Sequence, residues 1–293
     1  MSPIRSASFL LAAALTAGVS GAQVSVQGTG VSSSAFGLSS DGQWLAGFSS
    51  GVFRWSSGTG VVVPVSPLLT SSNGFPRIAS DGTLFATYDD PGTTLETACL
   101  VSPAGVQTFL PTLGSSSGNS ATTAYGLSDD GLTAVGLGWV TPGTAHAFKW
   151  TQATGTVDLG SIFGASSRAN AVSGNGRVTV GWDTPLTGGR RATYWDVNNV
   201  AHMIGTASSE CYGANRTGAV IVREHAGEAF RWTATEGIVP LGLLPGVGGP
   251  SYAQDVNNAG KTIVGSQGAG PIFLGGWRGF IWRPEVGMVK LDD

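Results

Sequence analysis

Three histidines, His146, His202 and His225, are the side chains here best suited to proton transfer or metal ligation near neutral pH. No two of them stand at the spacing that presents a pair of ligands to one metal ion. The chain contains neither a Gly-x-Ser-x-Gly elbow nor a glycine-rich phosphate loop with a lysine. Asp41, Asp81 and Asp130 are candidate acids, yet each directly precedes a glycine, which is the pattern of a tight turn. Asp89-Asp90 and Asp129-Asp130 are adjacent pairs. Neighbours on a strand point to opposite faces, so neither pair is expected to act as a joint acid–base site. No catalytic residue, metal site or cofactor is expected on these grounds.

Binding chemistry is better represented. The chain carries nine tryptophans. Trp55, Trp150, Trp195, Trp232 and Trp282 recur in one slot of an internal repeat and are assigned to the core, filling the space between neighbouring sheets. Trp44 is assigned to packing within a strand. Trp139, Trp182 and Trp277 fall in or beside loops, and Arg190, Arg191 and Arg278 lie near them. Aromatic rings with guanidinium groups close by make a platform for a saccharide or a peptide, so these six residues are the candidate ligand-binding set. Nucleic acid is a poor partner. The net charge is −3 and the only basic run is Arg190-Arg191, whereas phosphate neutralisation needs clustered positive charge.

The elements that must position these side chains follow from glycine. The chain has 46 glycines in 293 residues, against roughly 7% in ordinary proteins. Charged residues are 11%, against roughly 25%. Disorder needs high charge and few aromatics, and the glycines have no three-residue period, so disordered and collagen-like chains are excluded. Gly and β-branched residues disfavour long helices. An all-β protein of short strands remains. Ala35–Gly42, Ala124–Gly131, Ala169–Gly176 and Ala253–Gly260 align with one another, with weaker copies at 76–82 and 212–218. Their final glycines recur every ~40–50 residues, the period of propeller blades. Each copy reads as a small-residue strand, an Asp-Gly or Asn-x-Gly turn, an apolar strand ending in glycine (Gly136, Gly181, Gly265), an aromatic strand ending in Trp, and a Gly-led strand. The second copy has Val101 in place of the Trp. Six such copies predict a six-bladed β-propeller of four-stranded antiparallel blades, with a seven-bladed ring or a β-solenoid as alternatives. First-strand positions would line the axis. They read as Ala, Gly, Ser, Asn and Val, with Asp255 as the one acid.

The motif His146-Ala147-Phe148-Lys149-Trp150-Thr151 with Asp158-Leu159-Gly160, and Glu228-Ala229-Phe230-Arg231-Trp232-Thr233 with Leu241-Gly242, resembles the HAF-repeat family of exported bacterial proteins. The likeness covers nearly all of residues 34–291. It implies secretion or a cell-surface location and supplies no catalytic residues. Leu38-Ser39-Ser40-Asp41-Gly42 is also similar to the hairpins of TolB-type periplasmic propellers, which implies the fold and little more.

Residues 1–22 read as a secretory signal: Arg5, an apolar stretch from Ala7 to Leu15, and small residues Ser20 and Ala22 before Gln23. The stretch is too short to span a bilayer, and no second one follows, so no membrane span is expected. Residues 23–293 then form one propeller domain, expected to be a monomer. Val24–Gln27 and Met288–Leu291 compete for the place that closes the ring. Cys99 falls in the third strand of blade two and Cys211 at the start of blade five, on opposite sides of a six-bladed ring, so no disulfide is expected. These readings converge on an exported, non-enzymatic module, extracellular, cell-surface or periplasmic, that binds carbohydrate or protein. The alternative is a secreted polysaccharide hydrolase or lyase acting at the axial channel.

Overall fold

The computed structural model describes residues 34–48, 51–58, 62–64, 74–269 and 276–291. The expected signal at 1–22, the strand at 24–27 and most of the connection at 66–76 lie outside the described residues. Blade one consists of β1 (Ser34–Leu38), β2 (Trp44–Phe48), β3 (Val52–Ser56) and β4 (Val62–Pro64). Blade two has β5 (Arg77–Ile78), β6 (Leu84–Asp89), β7 (Glu96–Val101) and β8 (Gln107–Phe109). Blade three has β9 (Thr122–Leu127), β10 (Thr133–Thr141), β11 (Thr144–Thr151) and β12 (Gly155–Asp158). Blade four has β13 (Ser167–Val172), β14 (Thr179–Asp183), β15 (Arg191–Trp195) and β16 (Ala201–Met203). Blade five has β17 (Glu210–Ala214), β18 (Ile221–His225), β19 (Glu228–Thr233) and β20 (Gly237–Pro240). Blade six has β21 (Ser251–Val256), β22 (Ile263–Gly268), β23 (Trp277–Arg283) and β24 (Gly287–Lys290). Each blade is its own four-stranded antiparallel sheet in sequence order, and together they form the six-bladed β-propeller that the repeat predicts. β24 takes the fourth place in the last blade. No helix of the described residues is long and apolar enough to cross a membrane.

The hairpin between first and second strands explains the marker glycines. All six, Gly42, Gly82, Gly131, Gly176, Gly218 and Gly260, have φ between +72° and +86°, a region open to glycine and strained for other residues. In five blades a Ser or Asn ahead of the glycine accepts the amide that re-enters the second strand: Ser39 Oγ from Trp44, Ser128 Oγ from Thr133, Ser173 Oγ from Val178, Asn215 Oδ1 from Val220 and Asn257 Oδ1 from Thr262. Asp41, Asp81 and Asp130 are acceptors within these turns, bonded to the amides of Gln43, Thr83 and Leu132.

The core consists of slabs between consecutive blades. One slab joins Phe85 and Leu100 of blade two to Ala124, Ala134 and Phe148 of blade three, and the other described junctions repeat the arrangement. The aromatic third strand departs from expectation here. Phe53, Phe148, Phe230 and Phe280 are the fully buried residues, at 0–1% exposure, each contributing roughly 1.5–3 kcal/mol. Trp55, Trp150, Trp232 and Trp282 are only half-buried. Phe and Trp stand two positions apart and so share a face, but the Trp lies at the strand end, where the slab meets solvent. Blade four is the exception. Thr193 occupies the Phe position, and Trp195 is fully buried with its indole N–H donated to the Leu159 carbonyl at 3.1 Å.

Consecutive blades are also stitched by buried hydroxyls. Thr122 Oγ1 accepts the Ala98 amide, Ser167 Oγ the Ala147 amide and Ser251 Oγ the Ala229 amide, each at 2.8–2.9 Å. Cys99 in β7 and Cys211 in β17 are both buried free thiols.

Candidate functional site

One face of the disc carries the loops between second and third strands and the blade-to-blade connections; the other carries the marker hairpins. The first strands converge on the axis, and in five blades their pairing slips by one residue. The slip is a β-bulge, which leaves Phe36, Tyr125, Asn170, Tyr212 and Gln254 outside the ladder. The opposing glycines are required by it. A Cβ on Gly136, Gly181 or Gly265 would collide with the carbonyl of Thr123, Arg168 or Tyr252, respectively.

The bulged residues and their neighbours meet around the axial mouth on the loop face. Phe36 stacks on Phe75 (5.2 Å), and Phe75 meets Tyr125 edge-on (6.4 Å). The Arg168 guanidinium lies 4.6 Å from the Tyr125 ring and 5.3 Å from Trp182, which Arg190 also covers at 4.4 Å. Glu210 accepts from Arg168 and Arg190 (both 3.3 Å) and from Asn170 (3.4 Å). Arg223 lies over Tyr212 (3.8 Å) and Tyr252 (5.0 Å), and Tyr252 meets Trp277 at 5.8 Å. Aromatic and guanidinium groups thus form two runs of contacts, one from Phe36 to Arg190 and one from Tyr212 to Trp277, with the Glu210 carboxylate between them. Beside them, Arg190, Ser209, Glu210, Arg223 and Tyr252 line a cavity of about 240 Å³.

Deeper in the channel, neighbouring strands approach so closely that Gly37, Gly126 and Gly213 face backbone of the next blade, with Ala171 at the matching place in blade four. Blades two and six place Arg77 and Asp255 there instead. Arg77 also donates to the Phe36 carbonyl. Enclosure by the ring pushes the Arg77 pKa below its ordinary value, opposed by the charge of Asp255. The same enclosure raises the Asp255 carboxyl, opposed by the Val256 amide and by Arg77, although the residue is exposed to the channel. At the hairpin end, Arg216 of blade five bridges to Asp129 of blade three at 3.2 Å, and Ser40 bonds Ser80 at 3.0 Å. The channel is therefore open and aromatic at one end and tied across by polar groups at the other.

Of the residues chosen from sequence, the structure brings Trp182 and Arg190 together and links Trp277 to the second of these runs through Tyr252. Trp182 is only 6% exposed, so a ligand would meet the guanidiniums over it rather than its indole face. Trp139 lies in β10 with its indole N–H buried and unpartnered. Arg191 donates to the Gly189 carbonyl and Arg278 to that of Trp277. Sequence reasoning missed Arg77, Tyr125, Arg168, Glu210, Tyr212, Arg223 and Tyr252. Asp255 is not the one first-strand acid, since Glu210 begins β17. For Tyr125 and Tyr212 the available signal was their place between a small residue and a glycine, where a large side chain interrupts a strand of small ones.

The histidines stay apart. His146 bonds Asp158 at 2.9 Å, His202 bonds Asp196 at 3.1 Å and stacks on Tyr194, and His225 ends β18. Among the described residues no group of three His, Cys, Asp or Glu side chains could hold a metal ion. Glu210 is held by three donors, and burial raises the Tyr212 hydroxyl pKa, with Glu210 adding to the shift. That arrangement suits binding better than proton transfer. A second groove, of about 370 Å³ between blades two and three, is lined by Leu100, Leu132 and Trp150, with no charged side chain.

No protein-family profile matches the chain, and no curated protein does. The HAF-repeat resemblance therefore rests on its sequence motifs. Solved propellers do match. TolB from Acinetobacter baumannii has a TM-score of 0.52 at 12% identity, with 70% of this chain and 53% of that chain covered. A TolB-type structure from Agrobacterium tumefaciens gives 0.53 at 15% identity, covering 77% and 86%. The oligogalacturonate lyase of Vibrio parahaemolyticus gives 0.55 at 11% identity, covering 90% and 80%. The chain spans about half of the Acinetobacter protein. At these identities the likeness concerns the fold alone.

Proposed function

We propose that this chain is an exported propeller of the HAF-repeat type that binds carbohydrate or protein at its axial mouth and catalyses no reaction. The observation that carries this reading is the cluster of Phe, Tyr, Trp and Arg side chains on the loop face, around a channel whose far end is crossed by polar contacts. Export rests on the signal-like residues 1–22. Trp182, Trp277 and Arg190 belong to the binding surface, and Trp139, Arg191 and Arg278 extend it on the same face. The test is a glycan and peptide array on residues 23–293, run beside polysaccharide turnover assays. Binding that falls about ten-fold in Arg190→Ala, a change of about 1.4 kcal/mol, is the expected result. Turnover of a polysaccharide without stable binding would replace this reading with the hydrolase or lyase alternative.

A further inference from the structure

We propose that the mouth between blades five and six is a binding site for a hexuronate unit of an acidic polysaccharide, gripped by the free edge of Arg223. This deepens the binding-module reading and rests on it. Arg223 projects from β18, and its guanidinium lies over Tyr212 at 3.8 Å and over Tyr252 at 5.0 Å. Stacking uses the faces of the guanidinium and leaves its in-plane N–H groups for hydrogen bonds. One donates to Gln254 Oε1 at 3.2 Å. Among the described residues Arg223 forms no ion pair. A rigid fork of donors with no carboxylate partner, held in place by two rings, is prepared for a planar carboxylate.

The acids beside it are already engaged. Glu210 receives Arg168, Arg190 and Asn170, and Glu224 Oε1 accepts the Gly227 amide at 2.5 Å. Arg190 and Arg223 line the cavity together with Glu210 and Glu224, so recognition rests on Arg223, the guanidinium there with no ion pair among the described residues. The adjoining cavity of about 240 Å³ is smaller than the roughly 300–1,000 Å³ of drug-sized pockets and suits one sugar ring, the rest of the polymer running across the loop face. Its wall adds Glu224 and the hydroxyl-bearing residues Ser208, Ser209 and Tyr252 and contains no aliphatic side chain. Such a wall matches a hydroxyl-rich ligand and offers nothing to an apolar peptide side chain.

The test is calorimetric titration with tetrasaccharides of galacturonate and of hyaluronan, with neutral maltotetraose and tetraglutamate as comparators. The proteins are the parent, Arg223→Gln, Arg223→Lys, and Arg177→Gln on the hairpin face as control. The parent and R177Q should bind at least one uronate oligomer and not maltotetraose. R223Q should lose about ten-fold or more, and R223K should also weaken because a point charge lacks the fork. Unchanged uronate affinity in folded R223Q would overturn the proposal, and should R223Q fail to fold, unchanged affinity in R223K does so. Equal binding of maltotetraose, or tighter binding of tetraglutamate, overturns it while leaving a binding module in place. Failure of every ligand here and on the array removes both readings.

Discussion

Asp255 shows how the axis tunes a single side chain. It stands where four other blades have Gly or Ala and blade two has Arg77, and enclosure outweighs the pull of Arg77, so its carboxyl is raised. A carboxyl raised in the folded state holds its proton more tightly there than in the unfolded chain. Its contribution to stability is complete below the unfolded pKa of about 3.9 and is lost as pH rises through the folded value. Asn at this position cannot ionise and keeps an oxygen for the Val256 amide. The melting temperature of Asp255→Asn relative to the parent should therefore rise between about pH 4 and about pH 7. Thermal unfolding across that range checks it, and a flat or falling difference would sink the idea. At this scale the sequence was only partly legible. Trp182 and Arg190 were found because both fall in or beside the loop joining the second and third strands of blade four. Tyr125, Tyr212 and Tyr252 looked scattered, because nothing in linear spacing says that three first strands deliver them to one mouth.

The strands and turns were the most legible elements, since a glycine with positive φ leaves a periodic mark in the chain. The bulges were not, because a one-residue slip has no composition of its own. Their trace was indirect: Gly136, Gly181 and Gly265 were read as strand ends, whereas each lies within its strand, under a carbonyl displaced by the bulge. The Trp slot misled for a related reason. Aromatic size suggested the core, but depth depends on distance from the strand end, and the Phe two residues earlier is deeper. The hydroxyl stitches also escaped notice, as single Ser and Thr residues in a Ser- and Thr-rich chain. They have a measurable consequence. Ser167 Oγ accepts the Ala147 amide and donates to the Gly160 carbonyl, and Ser251 Oγ does the same for Ala229 and Gly242. Ser167→Ala and Ser251→Ala each leave a buried amide unpaired and should cost about 1–3 kcal/mol in urea unfolding, while the Thr variants retain part of the bond. A cost below about 0.5 kcal/mol in both Ala variants would mean that the hydroxyls do not hold the blades together.

The whole molecule is a ring whose described cores each join one blade to the next, so opening it at one junction exposes the flanks of two blades. The cysteines report such openings. Burial pushes the Cys99 thiol up to about 12 and raises Cys211 as well, so the reactive thiolate is scarce at both sites in the folded ring. Neither should react with a thiol reagent at about pH 8 under native conditions, and both should react when the chain unfolds. Fast labelling of one thiol alone in the native protein would mean that its blade opens separately. The bulges bear on a different matter, the freedom of this surface to change. A residue outside the ladder can be exchanged without altering strand register, while the turn glycines, buried Phe residues and hydroxyl stitches stay constant. Asn170 is buried and ties blade four to the Cys211 carbonyl of blade five, but Phe36, Tyr125, Tyr212 and Gln254 are free to act as interchangeable settings on a fixed dial. Randomising those four positions in one library would produce chains that share a scaffold and differ in what they recognise, and natural divergence among such repeats has the same route open to it.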